Sequence, residues 1–247
     1  AVFDYKMIEE NDVVGVGGSG GKDSVALLYA LQLYRTFSPV KFELKAISLT
    51  MGFDDFDLSP IKKLCDEINV EYIIQETEIG KIVFEERKEK NPCSLCSRFK
   101  RAALHSLCQE HSINKLALGH HLDDGIETLF LSMFYEGRIS TFEPVTYLSK
   151  RDITMIRPLI YVEEREIKGV IKRNNLPVVK SPCPADDNTQ RKYMKDKLLE
   201  FYKDIPHSKR RLLTALQNNE QVNLWWLIIR GQINNEILQK NVWTSTS

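Results

Sequence analysis

Residues 19–24 read Ser-Gly-Gly-Lys-Asp-Ser, and they join an apolar, strand-like run at residues 12–16 to a helix-like run at residues 25–31. A glycine-rich turn between a strand and a helix N-terminus binds phosphate, because its backbone N–H groups point at the anion. Gly20 and Gly21 have no side chains that would block those N–H groups. Two hydroxyl groups and a cation are added by Ser19, Ser24 and Lys22. The segment therefore predicts a polyphosphate site.

Other glycine loops fit these residues less well. A Walker loop needs a glycine where Val16 stands and a serine or threonine where Asp23 stands, so that interpretation fails. Residues 15–20 formally match the dinucleotide fingerprint, which also wants an acid at the end of the second strand. The predicted second strand ends at Thr50, so we rank the dinucleotide interpretation lower. A turn without a ligand is also less favoured, because Lys-Asp-Ser continues into a helix.

Four further segments extend the pattern along most of the chain. The loop resembles the PP-loop of the N-type ATP pyrophosphatases, which split ATP between its α and β phosphates and adenylate an acceptor. Residues 119–128, Gly-His-His-Leu-Asp-Asp-Gly-Ile-Glu-Thr, are similar to the second signature of the tRNA-modifying branch, and residues 156–159, Ile-Arg-Pro-Leu, to a third. With the cysteine segments at 92–98 and 181–184, the set resembles the tRNA 2-thiocytidine synthetases from about residue 12 to residue 200.

The predicted nucleotide site combines the loop with the later signatures. Its expected residues are Ser19, Gly20, Gly21, Lys22, Asp23, Ser24, Gly119, His120, Asp124 and Arg157. Asp23 and Asp124 are expected Mg²⁺ ligands, with Asp123 beside them, because magnesium bridges carboxylates to phosphates. Asp123 and Asp124 equally fit the cap and first turn of a helix. His120 is expected to line the adenine site, and Arg157 to hold a phosphate oxygen or a surface salt bridge.

The cysteines offer a second kind of site. Cys93 and Cys96 are spaced to place two sulfurs on one metal, and Cys183 supplies a third, whereas Cys65 and Cys108 lie in apolar helical patterns typical of core packing. By themselves the spacings leave zinc, a redox dithiol and an iron–sulfur cluster open. The family resemblance implies a 4Fe-4S cluster on Cys93, Cys96 and Cys183, and it makes these three catalytic together with Lys22 and Asp23.

The resemblance also implies a reaction and its partners. ATP is expected to adenylate oxygen 2 of an anticodon-loop cytidine, at position 32, before sulfur displaces AMP. The expected partners are tRNA, a cysteine desulfurase as sulfur donor and a second copy of the chain in a homodimer. The alternatives are a PP-loop enzyme of the 2-thiouridine or lysidine type, and a non-catalytic protein that binds a nucleotide and zinc.

Composition narrows the class of protein. The 247 residues are 43% hydrophobic and 28% charged with zero net charge, which indicates a soluble globular protein rather than a uniformly basic one. No apolar run approaches the roughly 20 residues of a membrane span, and the N-terminus does not read as a signal peptide, so we expect a cytoplasmic protein with reduced cysteines.

Basic residues beside the cysteine segments are expected to face RNA, among them Lys100, Arg101, Arg191, Lys195 and Lys209.

The hydrophobic pattern predicts an α/β fold. Strands are expected at 12–16, 43–50, 71–75, 115–119 and from 154, and helices at 24–36, 59–68, 95–111, 124–136 and 163–174. This alternation favours a mostly parallel, doubly wound sheet, as in PP-loop ATPases and the adenine nucleotide alpha hydrolase-like fold. We expect a PP-loop domain at 1–185 carrying the Cys-x-x-Cys insertion, and a dependent helical C-terminal extension at 186–247. Gly17 and Gly18 are expected to lengthen the phosphate loop.

Overall fold

A six-stranded sheet with helices on both faces runs through the computed structural model, which describes residues 1–53, 56–86, 92–180, 183 and 190–218. The strands are β1 (Val13–Gly18), β2 (Glu43–Leu49), β3 (Glu71–Gln75), β4 (Lys115–Leu118), β5 (Val145–Leu148) and β6 (Ile153–Ile156). The helices are α1 (Lys22–Phe37), α2 (Ser59–Glu67), α3 (Ile79–Lys81), α4 (Pro92–Glu110), α5 (Leu122–Leu131), α6 (Glu164–Arg173), α7 (Gln190–Asp204) and α8 (Ser208–Gln217). Two π-helical turns, Ile82–Glu86 and Ser132–Glu136, complete the set.

The sheet order is β3-β2-β1-β4-β6-β5, and every neighbouring pair is parallel except β5 with β6. This confirms the predicted α/β class with a mostly parallel sheet. The chain moves from β1 toward one edge through β2 and β3, and then returns to place β4 on the other side of β1. Ligands of such sheets bind at the carboxyl ends of the strands where the order reverses, here β1 and β4.

The two glycines before the phosphate loop belong to the strand. Gly17 pairs with Ile47 and Leu118, and Gly18 pairs with Ser48. The prediction that they lengthen the loop is therefore wrong, because Ser19 follows β1 directly. Small residues are required here: a Cβ on Gly17 would lie 3.3 Å from a side-chain atom of Leu118.

The core forms on both faces of the sheet because β1 and β2 alternate their side chains. Val14 and Val16 of β1 pack on the side of α1 and α2, where Cys65 is fully buried. Ile47 of β2 packs on the side of α4 with Cys108, which is also fully buried. The expectation that Cys65 and Cys108 are core residues is confirmed.

The chain divides into two compact units, residues 1–213 and 214–247, and of the second unit only residues 214–218 are described. Helices α7 and α8 agree with the predicted helical extension at 186–247, while residues 186–189 and 219–247 of that prediction lie outside the described residues. The domain boundary at 185 stays a prediction. In the described part of the chain, no helix combines the length and apolar character needed to cross a membrane.

The burial of the two core thiols predicts their reactivity. Burial raises the pKa of Cys65 to about 11 and that of Cys108 to about 12, whereas Cys93 is exposed. Iodoacetamide at pH 8 should therefore label Cys93 in the folded, cluster-free protein and leave Cys65 and Cys108 unlabelled, because the thiolate is the nucleophile. Peptide mass spectrometry measures the sites. Labelling of Cys108 as fast as in urea would contradict the packing.

Candidate functional site

A cavity of about 410 Å³ opens at the carboxyl edge of β1 and β4. Its wall combines the phosphate loop, the end of β4, the start of α4 and Cys183. The polar and sulfur-bearing residues that line it are Ser19, Asp23, Ser24, Cys96, Ser97, Lys100, Arg101, His120 and Cys183, with Gly17, Gly18, Gly21 and Gly119. The first two predicted signatures and two of the predicted cysteines therefore meet at one cavity.

The phosphate loop is held in shape by its own backbone and by a distant segment. Gly20 has a φ of +75°, a left-handed conformation that favours glycine. The backbone N–H of Val179 donates to the Gly20 carbonyl at 2.9 Å, and the Ser24 hydroxyl donates to the Gly21 carbonyl at 2.9 Å. The segment leading to Cys183 thus supports the loop directly.

Gly119 brings the second signature against the loop. A Cβ at this position would lie 2.9 Å from the Asp23 carbonyl carbon and 3.1 Å from the Ser24 nitrogen. Both atoms are backbone, so a side chain there would have to push the first turn of α1 away. The glycine is required by this close approach rather than by its own φ.

Asp23 presents one carboxylate oxygen that lacks a partner. Its Oδ2 lies 3.0 Å from the Lys22 Nζ, while its Oδ1 is buried and accepts no hydrogen bond within the described part of the chain. The His121 Nε2 lies 3.6 Å from that Oδ1. Lys22 also reaches the Glu164 Oε1 at 3.2 Å. Although burial opposes it, these carboxylates raise the pKa of Lys22.

His120 lines the cavity as predicted, and burial lowers its pKa. The centroids of the His120 and Phe142 rings lie 4.9 Å apart. The Arg157 guanidinium carbon lies 5.1 Å from the centroid of the same Phe142 ring. Arg157 therefore supports the His120 side of the cavity through an aromatic ring.

The structure does not bring Arg157 to the phosphate loop. Its side chain is buried and donates from Nη1 to the Glu143 carbonyl and to the Thr146 hydroxyl. Both predicted roles are corrected by these contacts: the guanidinium is committed to the strand β5 region, and the residue is not at the surface. Its position in an Arg-Pro-Leu match carried no information about these partners.

Asp123 and Asp124 lie in the first turn of α5, as one of the two interpretations expected. The Asp124 Oδ2 accepts from the His121 backbone N–H at 3.0 Å, and its Oδ1 lies 3.6 Å from Arg191. Asp123 accepts from the Glu164 backbone N–H at 2.9 Å and from Lys209 at 2.7 Å. These carboxylates are directed at protein groups, and the Mg²⁺ role of Asp124 stays a prediction.

The cysteines surround the same end of the cavity. Cys93 and Cys96 lie in the first turn of α4, where Cys93 is exposed and Cys96 is buried. Burial raises the pKa of Cys96, and Lys100 one turn later opposes that shift. Among the residues described, no three His, Cys, Asp or Glu side chains are grouped closely enough to hold a metal ion. The donor set is three thiols, of which Cys96 and Cys183 line the cavity and Cys93 acts electrostatically on Cys96, and thiols are the ligands that an iron–sulfur cluster requires.

Cations of α7 and the start of α8 pair with acids behind the loop. Lys195 lies 2.8 Å from the Glu164 Oε2, Arg191 lies 3.2 Å from the Glu127 Oε2, and Lys209 is shared by Asp123 and Glu163. These three side chains are therefore engaged with carboxylates of the protein, and their contact with RNA stays a prediction. Lys100 and Arg101 line the cavity instead.

Sequence reasoning missed Glu164 and Glu127. The capping pattern of Glu163 with Glu166 could have predicted that a helix begins at Glu164. That pattern does not predict that the Glu164 side chain contacts Lys22. Glu127 was quoted within the second signature without a role. Its side chain is 4% exposed and bonded to Arg191.

Comparisons with known proteins agree with this geometry. The family model of the PP-loop domain matches residues 4–201. Over 221 residues the chain is 42% identical to the tRNA-cytidine(32) 2-sulfurtransferase of Geobacter metallireducens, which covers 88% of this chain and 86% of the relative. The protein of the same name from Geobacter sulfurreducens is 41% identical over the same shares. The solved U34-tRNA thiolase NcsA from Methanococcus maripaludis, with its 4Fe-4S cluster, is 26% identical at a TM-score of 0.71 and covers 88% of this chain and 75% of that one.

Replacing Gly119 by alanine should displace the phosphate loop. The added Cβ meets the backbone of Asp23 and Ser24 at 2.9 to 3.1 Å, so we expect a loss of about 1–3 kcal/mol in the free energy of unfolding and at least tenfold weaker binding of an ATP analogue. Gly169→Ala is the matched control, because its Cβ meets the flexible end of Arg173. Calorimetry measures both quantities. Unchanged binding by the Gly119→Ala variant would contradict the close approach.

The buried Glu127 carboxyl predicts a pH dependence of stability. Burial, followed by the Asp124 carboxylate, raises its pKa from 4.5 to about 7 against the opposing Arg191. A carboxyl whose pKa is raised in the folded state favours folding when protonated, so stability falls as pH rises from about 5 to 8. Glu127→Gln should remove this slope and be more stable than the wild type at pH 8 by about 2 kcal/mol.

Urea unfolding at pH 5 and pH 8 measures the effect. The exposed Glu110→Gln is the control and should keep the wild-type slope. A Glu127→Gln variant with the same slope as the wild type would show that this carboxyl is already ionised in the folded protein.

Proposed function

The chain belongs to the PP-loop family of tRNA-cytidine(32) 2-sulfurtransferases, and we propose that it uses ATP to replace oxygen 2 of a tRNA cytidine with sulfur. The observation that carries this proposal is the single cavity lined by the phosphate loop and by Cys96 and Cys183. An adenylating loop and thiol ligands are needed together in a thiolation that passes through an adenylate. Position 32 of the tRNA comes from the names of the relatives.

ATP fits the loop side of the cavity. The volume of about 410 Å³ lies within the range of roughly 300–1,000 Å³ typical of ligand pockets. Ser19, Gly20 and Gly21 offer backbone N–H groups to phosphate oxygens. Mg²⁺ is proposed to bind the Asp23 Oδ1, since a buried carboxylate oxygen that accepts no hydrogen bond from the described residues is a suitable ligand for a hard cation.

The proposed reaction has two displacements. Oxygen 2 of the cytidine attacks the α-phosphorus of ATP, the bond from that phosphorus to the bridging oxygen breaks, and pyrophosphate leaves. Hydrosulfide then adds to carbon 2 of the base, the carbon–oxygen bond breaks, and AMP departs with the former oxygen 2 while one proton is released. Lys22 and Mg²⁺ are proposed to stabilise the charge on the leaving pyrophosphate.

The thiol side of the cavity accounts for the sulfur chemistry. Cys93, Cys96 and Cys183 are proposed to hold a 4Fe-4S cluster, which supplies an iron site for the incoming sulfide. Lys100 and Arg101 line the cavity next to Cys96, and we propose that they meet the RNA backbone as the unpaired base enters.

The alternatives are less well supported. An enzyme of the lysidine type needs no cysteines at the cavity, and the thiouridine enzyme NcsA is 26% identical where the cytidine enzymes reach 42%. We further propose a cytoplasmic homodimer that receives sulfur from a cysteine desulfurase, with a thiol reductant releasing the persulfide as sulfide. Light scattering of the purified protein tests the dimer.

Removing the loop's charged residues should abolish adenylation. We expect Lys22→Ala and Asp23→Ala to lower tRNA-dependent AMP release at least about 100-fold, because both groups act on the developing phosphate charge. The exposed Lys172→Ala on α6 is the control. Chromatography of the nucleotides measures the products. Formation of ADP in place of AMP would refute the pyrophosphatase chemistry.

Anaerobic purification tests the cluster. We expect a brown protein with broad absorption near roughly 400 nm, lost in Cys183→Ser because one of three thiolate ligands is gone. Cys108→Ala is the control, since Cys108 belongs to the core under α4. A colourless wild type that contains zinc and no iron would overturn the cluster proposal.

A further inference from the structure

Glu164 opens α6 and carries a side chain that is 12% exposed and surrounded by three ammonium groups. Its Oε1 lies 3.2 Å from the Lys22 Nζ, and its Oε2 lies 2.8 Å from Lys195 and 3.3 Å from Lys168. Although burial opposes it, Lys195 and Lys22 lower the pKa of Glu164 to about 2. The residue is therefore a permanent anion beside the phosphate loop.

The backbone of Glu164 is fixed as firmly as its side chain. Its N–H donates to the Asp123 Oδ2 at 2.9 Å, and the preceding Glu163 N–H donates to the Glu166 carboxylate at 2.8 Å. The Leu122 N–H donates to the Val162 carbonyl at 3.0 Å just before α6. These bonds join the first turn of α6 to the first turn of α5, so the carboxylate has a defined position relative to the loop.

Lys22 connects Glu164 to the cavity. Its Nζ lies between the Glu164 Oε1 and the Asp23 Oδ2, at 3.2 and 3.0 Å. Glu164 attracts the ammonium to the Oδ2 side of Asp23, while the Oδ1 accepts no hydrogen bond among the described residues and lies 3.6 Å from the His121 Nε2. Without Glu164, Asp23 is the one acid left on Lys22 in the described part of the chain, and the flexible lysine can then cover both of its oxygens.

We propose that Glu164 is a positioning residue of the nucleotide site: by holding Lys22 to one side of the Asp23 carboxylate, it leaves the second oxygen of that carboxylate available to a cation. The inference rests on the proposed use of ATP with Mg²⁺ at this loop. It assigns a function in the first displacement to a residue of α6, outside the five matched segments. Lys195 of α7, which shares the same carboxylate, links this arrangement to the helix that follows Cys183.

The test variant is Glu164→Gln, which keeps the shape and removes the charge. At saturating Mg²⁺ we expect kcat for tRNA-dependent AMP release to fall at least about tenfold while KM for ATP stays within about threefold, because misplacement of Asp23 is felt mainly in the transition state. Glu164→Asp should recover part of the loss. Glu163→Gln is the matched control, since Glu163 contacts Arg165 and Lys209 and should keep the wild-type kcat.

A double variant separates positioning from a general structural role. If Glu164 acts through Lys22, Lys22→Ala with Glu164→Gln should be no slower than Lys22→Ala alone. Losses that multiply, or a Glu164→Gln variant with the wild-type kcat, would overturn the inference.

A second readout needs no turnover. Binding of α,β-methylene-ATP is titrated with Mg²⁺, and Glu164→Gln should need severalfold more Mg²⁺ than the wild type or Glu163→Gln for half-maximal binding. If the wild type binds the analogue and releases no AMP, the proposed function is wrong, but the comparison of Mg²⁺ dependence still tests the positioning role of Glu164. Equal Mg²⁺ dependence in all three proteins would refute the positioning role itself.

Discussion

The close approach of the α1 N-terminus to Gly119 is the contact on which the site depends. At this point the backbone of Asp23 and Ser24 lies within 2.9 to 3.1 Å of where a Cβ would stand, so the residue that follows β4 can carry no side chain. Because β1 and β4 are adjacent and parallel, the contact places both signatures at one edge of the sheet. The cavity, the position of the Asp23 carboxylate in its wall and the approach of His120 all follow from that juxtaposition.

Ion pairs then hold α7 and the start of α8 against this edge of the sheet. Buried acids at the starts of α5 and α6 would be costly alone, and Arg191, Lys195 and Lys209 compensate them. Such pairs add little net stability because desolvation offsets their attraction, but they define geometry when each carboxylate has specific partners. Glu164 belongs to this network and also contacts Lys22 of the loop, which connects the start of α6 to the phosphate loop.

Much of the fold could be predicted because it depends on local patterns. The alternation of apolar residues in β1 and β2, and the helical pattern after Ser24, determine which faces are buried, so the parallel sheet and the loop at its carboxyl edge followed. Gly17 and Gly18 were misassigned because glycine signals a turn locally, whereas here both pair with β2, and Gly17 also pairs with β4. The partners of Arg157, Lys209 and Glu164 lie far away in the chain, and no periodicity reveals them.

We propose that one cavity both activates a tRNA cytidine and delivers sulfur to it. The direct measurement is nucleoside mass spectrometry of tRNA from cells lacking the gene, after anaerobic incubation with the purified protein, ATP, Mg²⁺ and sulfide. We expect 2-thiocytidine and AMP in equal amounts, both dependent on tRNA. Thiolated uridine without 2-thiocytidine, or AMP release without any thiolated nucleoside, would contradict it.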